Sequence, residues 1–226
     1  MDKRFSVLWV MAAVLIVFYS CKNNDEVFAK KVTTGLNIVN ASVDTLNFFL
    51  NGTRQNNTSS LYPGGQSYYL SVPAGIQNYQ FKKIGTSAIL FSLPEDLTDS
   101  TYTSVFVYGP SASETLKTTD QLDTITGHLD TTQVRFVNVS PDAGALNVFV
   151  GDTISFASVA FKSSSSFAAM ASGVKEIKIY QASTSLLLKD TSIVFQPAYI
   201  YTLYSKGLLK GTGTAAFNVG VAINVN

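Results

Sequence analysis

Leu36-Asn37-Ile38-Val39-Asn40-Ala41-Ser42 and Val134-Arg135-Phe136-Val137-Asn138-Val139-Ser140 are one pattern written twice, 98 residues apart. Asp44 and Asp142 follow at the same spacing, and Leu46-Asn47-Phe48-Phe49-Leu50 returns as Leu146-Asn147-Val148-Phe149-Val150 after an insertion of two residues. Residues 67–75 then match 165–173, and Gly109 matches Gly207, again 98 apart. Four such matches in order mark a duplication, and a repeated stretch of this length is a repeated structural unit.

Each copy has the texture of short strands. Leu46, Phe48 and Leu50 alternate with Asn47 and Phe49, and Val134 and Phe136 alternate with Arg135 and Val137. Alternation with period two places successive side chains on opposite faces of a sheet. Further strands are predicted over 67–72, 79–84, 88–93 and 101–108, and over 155–161, 166–170, 176–180, 186–195, 199–205 and 216–224. Turn residues separate them: Pro63-Gly64-Gly65, Pro73-Ala74-Gly75, Ser140-Pro141-Asp142, Gly151-Asp152 and Ser172-Gly173. About seven short strands per copy, with no helical periodicity, predict an all-β chain of two tandem immunoglobulin-like β-sandwiches. The likeness is architectural, because neither copy holds a cysteine pair or a tryptophan. The expected division is 32–119 for repeat 1, a Thr- and Asp-rich linker over 120–131, and 132–226 for repeat 2.

Composition fits that reading. Hydrophobic residues make up 46% and charged residues 14% of the 226, a balance rich enough in apolar side chains to build cores and unlike a disordered chain. Sixteen basic and fifteen acidic residues leave a net charge of +1. Loss of Asp2, Lys3 and Arg4 with a leader leaves 14 of each, so no electrostatic attraction to nucleic acid is expected.

The leader is read from the N-terminus. Lys3 and Arg4 precede an apolar run from Phe5 to Phe18, and the chain turns polar at Lys22-Asn23-Asn24-Asp25-Glu26. That is the layout of a secretory signal, with an apolar run short for a bilayer span. Cys21 is the only cysteine and stands where the run ends, so it has no partner for an internal disulfide. The segment resembles a lipoprotein lipobox, although Phe18 and Tyr19 are bulkier than is usual there. The resemblance implies a signal peptide over 1–20, lipidation of Cys21 and a polar tether over 21–31. A plain signal peptide and an uncleaved anchor are the competing readings. Lipidation predicts an envelope protein anchored to the outer membrane, on its periplasmic face or at the cell surface. The basic-then-acidic 22–26 stretch resembles the tags that send some Gram-negative lipoproteins to the surface; a simple flexible tether reads equally well.

The second copy carries a family resemblance. Val134-Arg135-Phe136-Val137-Asn138-Val139-Ser140-Pro141-Asp142, followed by Leu146-Asn147-Val148-Phe149-Val150, resembles the opening of the family called domain of unknown function 4397. Val72-Pro73-Ala74-Gly75 resembles that family's later Pro-Ala-Gly turn. Copy one departs from the opening by lacking its Arg and Pro, and copy two departs from the turn with Ala171-Ser172-Gly173. The resemblance implies tandem immunoglobulin-like sandwiches on secreted or anchored bacterial proteins. It implies no catalytic residue.

Chemistry-bearing residues are sparse. The only histidine, His128, sits in the expected linker without a nucleophile nearby in sequence, so no catalytic constellation, metal site or cofactor is expected. Glu95-Asp96 with Asp99, and Asp120 with Asp123, lack the dense oxygen-ligand spacing of a calcium loop and are read as solvated turn residues. Gly211-Thr212-Gly213 lacks the Lys-Ser/Thr of a phosphate loop. Asn40 and Asn138 are expected to shape turns through side-chain-to-backbone hydrogen bonds; contact with a ligand is the alternative. Tyr62, Tyr68, Tyr69, Tyr199, Tyr201 and Tyr204 are expected in cores or on sheet faces, with sugar stacking as the alternative. Asp-Ser/Thr triplets resemble an O-glycosylation signal of some Gram-negative envelopes, with Thr124 and Thr131 of the linker as candidates. The function expected is a membrane-anchored, non-catalytic binding or scaffolding module with a protein or glycan ligand. A fimbrial or adhesin-like subunit is the alternative.

Overall fold

The computed structural model describes residues 32–56, 58–122 and 130–225; the leader, Cys21, Thr124 and His128 lie outside them. In repeat 1 the strands are β1 (Thr33–Asn40), β2 (Leu46–Leu50), β3 (Thr53–Arg54), β4 (Leu70–Pro73), β5 (Gly75–Lys83), β6 (Phe91–Leu97), β7 (Tyr102–Val107) and β8 (Thr115–Thr119). In repeat 2 they are β9 (Thr131–Asn138), β10 (Leu146–Val150), β11 (Ile154–Val159), β12 (Ser163–Ser164), β13 (Ala168–Ala171), β14 (Gly173–Gln181), β15 (Leu187–Phe195), β16 (Ile200–Lys206) and β17 (Asn218–Val225).

The duplication survives in the hydrogen bonding. Repeat 1 is built from sheets ordered β4-β1-β7-β8 and β3-β2-β5-β6; repeat 2 from β12-β9-β16-β17, with β13 also on β9, and β11-β10-β14-β15. In each repeat one pair is parallel, with Ile38 opposite Val105 in the first and Phe136 opposite Leu203 in the second. A single residue separates β4 from β5 and β13 from β14, where the chain leaves one sheet for the other. Gly75 and Gly173 begin the second strand at φ 84° and 106°, a backbone conformation open to residues without a Cβ. The expected all-β, sandwich architecture is what the chain adopts.

Each repeat has its own interior. Leu36, Ile38 and Val105 meet Phe48, Tyr79, Phe81 and Leu93 in the first, and Phe136 and Leu203 meet Val148, Ile177, Ile179 and Phe195 in the second. A third cluster joins the halves: Val39, Ala41 and Phe106 against Val137, Val139, Tyr204 and Ala222. The β1/β7 and β9/β16 strands are therefore buried on both faces. This explains why their sequences read as near-continuous apolar runs, where alternation predicts one buried face.

Two strand boundaries differ from expectation. β6 runs through Pro94 to Leu97, because it is the edge of its sheet and a proline there removes no ladder hydrogen bond. The predicted 67–72 strand begins only at Leu70, as its counterpart predicted over 166–170 begins only at Ala168, and Tyr68 stands outside the extended region at φ 55°.

Candidate functional site

The two asparagines singled out by the repeat do the same work in each copy. The Asn40 amide donates to the Asp44 and Leu61 carbonyls, and its oxygen accepts from the Ser42 N–H and hydroxyl. The Asn138 amide donates to the Gly144 and Val159 carbonyls, and its oxygen accepts from the Ser140 N–H and the Ser205 hydroxyl. Both are fully buried, and no hydrogen-bonding atom remains for a ligand. They hold the turn, as expected.

Asp96 and Asp99 are exposed, as expected, Asp123 lies outside the described residues, and Asp120 and Glu95 depart from expectation. Asp120 extends the β7–β8 ladder through its N–H to Tyr102, and its carboxylate is fully buried in an ion pair with Arg135. Thr118, Ser104 and the Tyr69 phenol also donate to it. The network closes on itself: the Arg135 Nε bonds Thr202 at 2.9 Å, Thr202 bonds Asn224 at 2.7 Å, and Asn224 bonds the Tyr69 oxygen at 2.8 Å. The Arg135 guanidinium also lies 4.6 Å over the Phe167 ring. Tyr69, Ser104 and Thr118 come from repeat 1 and Asp120 directly follows its last strand, while Arg135, Phe167, Thr202 and Asn224 come from repeat 2. Burial and the Asp120 charge push the Tyr69 phenol well above its ordinary pKa. Because the opposite charge comes from the other repeat, burial of Asp120 is a tertiary property.

Glu95 is also not a solvated turn residue. It occupies an inward position of β6, whose residues alternate buried and exposed throughout, and bonds Lys117 at 2.8 Å. Beside it the Tyr79 hydroxyl is buried without a partner, and its pKa is pushed up to about 12 by burial and then by the Glu95 charge. No group of three or more His, Cys, Asp or Glu residues is placed to hold a metal among the described residues.

The tyrosines divide. Tyr201 and Tyr204 are buried, as core packing predicts, and Tyr69 and Tyr199 are half-buried. Tyr62 and Tyr68 are 61% and 55% exposed, against the expectation of packing. Thr131 is the half-buried first residue of β9.

One groove is a site that sequence reasoning missed. It encloses about 660 Å³ over β10 and β14 and is lined by Asn147, Phe149, Asp152, Glu176, Lys178 and Tyr180. Side chains at alternate positions of adjacent strands reach one face, and here the face is the one turned away from the core. Phe149 is 44% exposed and meets Tyr180 edge-on, ring centroids 5.8 Å apart. Lys178 and Glu176 pair at 2.7 Å, which holds the ammonium above its ordinary pKa. At the equivalent place in repeat 1, Lys82 lies 4.6 Å from the centre of the Phe49 ring. The signal was present in the sequence: Phe149 breaks the alternation by placing an aromatic on the outward face.

The family described as "Domain of unknown function (DUF4397)" matches residues 34–149 and 132–219. The two matches overlap on β9 and β10, the first strands of repeat 2. No curated protein matches. Among solved structures, the crystal structure of CBMbc (family CBM26) from Eubacterium rectale Amy13K in complex with maltoheptaose is 8% identical, with a TM-score of 0.27 over 83% of this chain and 96% of that one. A likeness so slight bears on neither mechanism nor ligand.

Proposed function

The chain belongs to the DUF4397 family, and from that premise we propose that it is a non-catalytic binding module, held at the cell envelope by a lipidated Cys21, with the groove over Phe149 and Tyr180 as its ligand face. The observation that carries the reading is the groove itself: an exposed aromatic pair flanked by a carboxylate, an ammonium and an amide. Ligand sites combine apolar surface with a few polar groups that fix orientation, and a sheet face supplies both on a rigid frame. That chemistry suits a protein loop or a glycan.

The test is capture of envelope proteins and glycans by cells displaying the full chain, wild type against Phe149→Ala. A buried aromatic anchor commonly contributes 2 kcal/mol or more, so retention falls at least about tenfold. Equal capture by both proteins rejects the groove. Polymers of the purified chain in light scattering would favour a fimbrial subunit instead.

Anchoring is read from Cys21 at the end of the apolar run. Several acyl chains hold a protein firmly, because each buried methylene contributes about 0.8 kcal/mol. Cells fed a labelled fatty acid incorporate it into the wild type and not into Cys21→Ala; an unlabelled wild type rejects the anchor. Intact mass of the mature protein reports O-glycosylation at Thr124 and Thr131, and an unmodified mass ends that idea.

A further inference from the structure

We infer that the cleft between Tyr62 and Tyr68 binds a neutral saccharide, at a site separate from the groove proposed above and complete only when the two repeats are docked. Both exposed tyrosines line one cleft of about 310 Å³, and its far wall is Val221 and Ile223 of β17 in the other repeat. Gln66 fastens that wall: its amide donates to the Ile223 carbonyl and its oxygen accepts the Ile223 N–H, both at 3.1 Å. Tyr204, also from repeat 2, donates its phenol hydrogen to the Gly64 carbonyl at 3.2 Å.

The duplication supplies an internal control. The residues 98 positions on from Tyr62 and Tyr68 are Ala160 and Ser166. The loop is built the same way without them. Gly64 N–H to Asn40 O becomes Lys162 N–H to Asn138 O, Gly65 N–H to Tyr62 O becomes Ser163 N–H to Ala160 O, and Ser67 N–H to Ile38 O becomes Ser165 N–H to Phe136 O. The fold therefore has no need of aromatics here. Repeat 1 nevertheless holds Tyr68 at φ 55°, while Ser166 keeps an ordinary negative φ. Bulky residues rarely adopt that conformation, and strained residues of this kind cluster at ligand sites. Neither phenol has a hydrogen-bond partner among the described residues.

The lining names the ligand. Around the cleft are two aromatic rings, serine hydroxyls and glycine backbone, with no charged side chain. The nearby ammonium of Lys206, beside Gly64, has its pKa lowered by burial. Ring faces pack on the apolar C–H face of a sugar, while phenols and backbone groups bond its hydroxyls. A cationic ligand finds no counter-ion in the lining, an anionic one finds only the half-buried Lys206 ammonium beside Gly64, and a wholly apolar one would leave these polar groups unpaired.

The test is affinity electrophoresis of the full chain in native gels containing neutral polysaccharides: α-glucan, β-glucan, mannan, xylan or galactan. Calorimetry on any hit supplies the affinity. The wild type is retarded by at least one of them. Tyr68→Gly weakens that binding at least about tenfold while leaving thermal stability equal or raised, because glycine suits φ 55°. Tyr68→Phe retains most of the binding, since the stacking face remains. Phe149→Ala is measured beside it, so that a loss at the groove is told apart from a loss at this cleft. An unretarded wild type overturns the inference, as does Tyr68→Gly binding at wild-type strength. Loss in Phe149→Ala alone also overturns it and moves the saccharide to the groove.

Discussion

Position 37 and position 135 are the same place in the two repeats, and they hold different chemistry. Asn37 is fully buried, with its amide nitrogen unpartnered. Arg135 is buried to a similar degree, but joins Asp120, Thr118 and Thr202 and stacks on Phe167. The difference separates two kinds of residue in a duplicated protein. Turn positions that serve each sandwich from within, such as Asn40 and Asn138 or Gly75 and Gly173, have stayed alike. Positions 37 and 135, or 68 and 166, have diverged where the two copies meet different surroundings, although Val39 and Val137 remain the same in the cluster that joins the repeats.

The largest expected effect tests that division at the junction. Arg135→Ala leaves the Asp120 carboxylate buried without its counter-ion, which costs about 3–5 kcal/mol; urea unfolding measures it. Asn37→Ala removes an amide whose nitrogen is already unsatisfied and should cost less. If the two substitutions cost the same, the asymmetry across the junction carries no energy.

Next come the asparagines. Asn40→Ala and Asn138→Ala each leave buried groups unsatisfied and should cost about 2–3 kcal/mol. The two values should agree within about 1 kcal/mol, because each side chain makes four hydrogen bonds. A large inequality would break the equivalence of the repeats.

The tyrosines give a pH signature. Tyr69, Tyr79 and Tyr204 have pKa values raised in the folded state, Tyr79 to about 12. Between the unfolded value of 10.0 and these folded values the unfolded chain binds fewer protons. Stability is therefore full below pH 10 and falls as pH rises above it. Tyr79→Phe removes an orphan hydroxyl, so its effect at neutral pH is small or stabilising, by at most about 1 kcal/mol. It also softens the alkaline fall. Thermal melts across that pH range measure both, and an unchanged alkaline slope in the variant rejects the assignment to Tyr79.

The smallest expected effect lies on the outward sheet faces. Lys82→Ala uncovers Phe49 in repeat 1 and should cost at most about 1 kcal/mol, as exposed cation–π contacts are weak. A larger loss in thermal melts would mean that Lys82 holds more of repeat 1 together than its contact with one ring.

How much was legible follows from how far each residue's partners lie. Asn138 bonds Ser140 and Gly144 within its own turn, a role that the pattern of Asn, Ser and Asp near the strand end predicts, whereas its bonds to Val159 and Ser205 reach other strands and were not legible. Glu95 misled because it follows a proline and precedes an aspartate, both turn residues by local chemistry; the edge position of β6 allows the strand to continue and turns Glu95 inward. Tyr62 and Tyr68 misled in the opposite sense, since alternate residues of strands fill a core and Tyr68 fell in a predicted strand, whereas the chain holds both rings outward. Phe149 was visible as an outward residue, yet no local pattern tells a groove from a flat face.

From sequence alone come the duplication, the all-strand architecture, the turns with their Asn and Gly residues, and the spacing that makes the two halves superimposable in register. All of these depend on side chains a few residues apart, through the pleat's period of two and the short reach of turn hydrogen bonds. The tertiary structure alone decided that β1, β7, β9 and β16 are buried on both faces, that Asp120 and Arg135 pair across the junction, and that Tyr62 and Tyr68 face a wall from the other repeat. Burial and pairing depend on which surface arrives opposite, and here that surface is folded from the other copy of the same pattern.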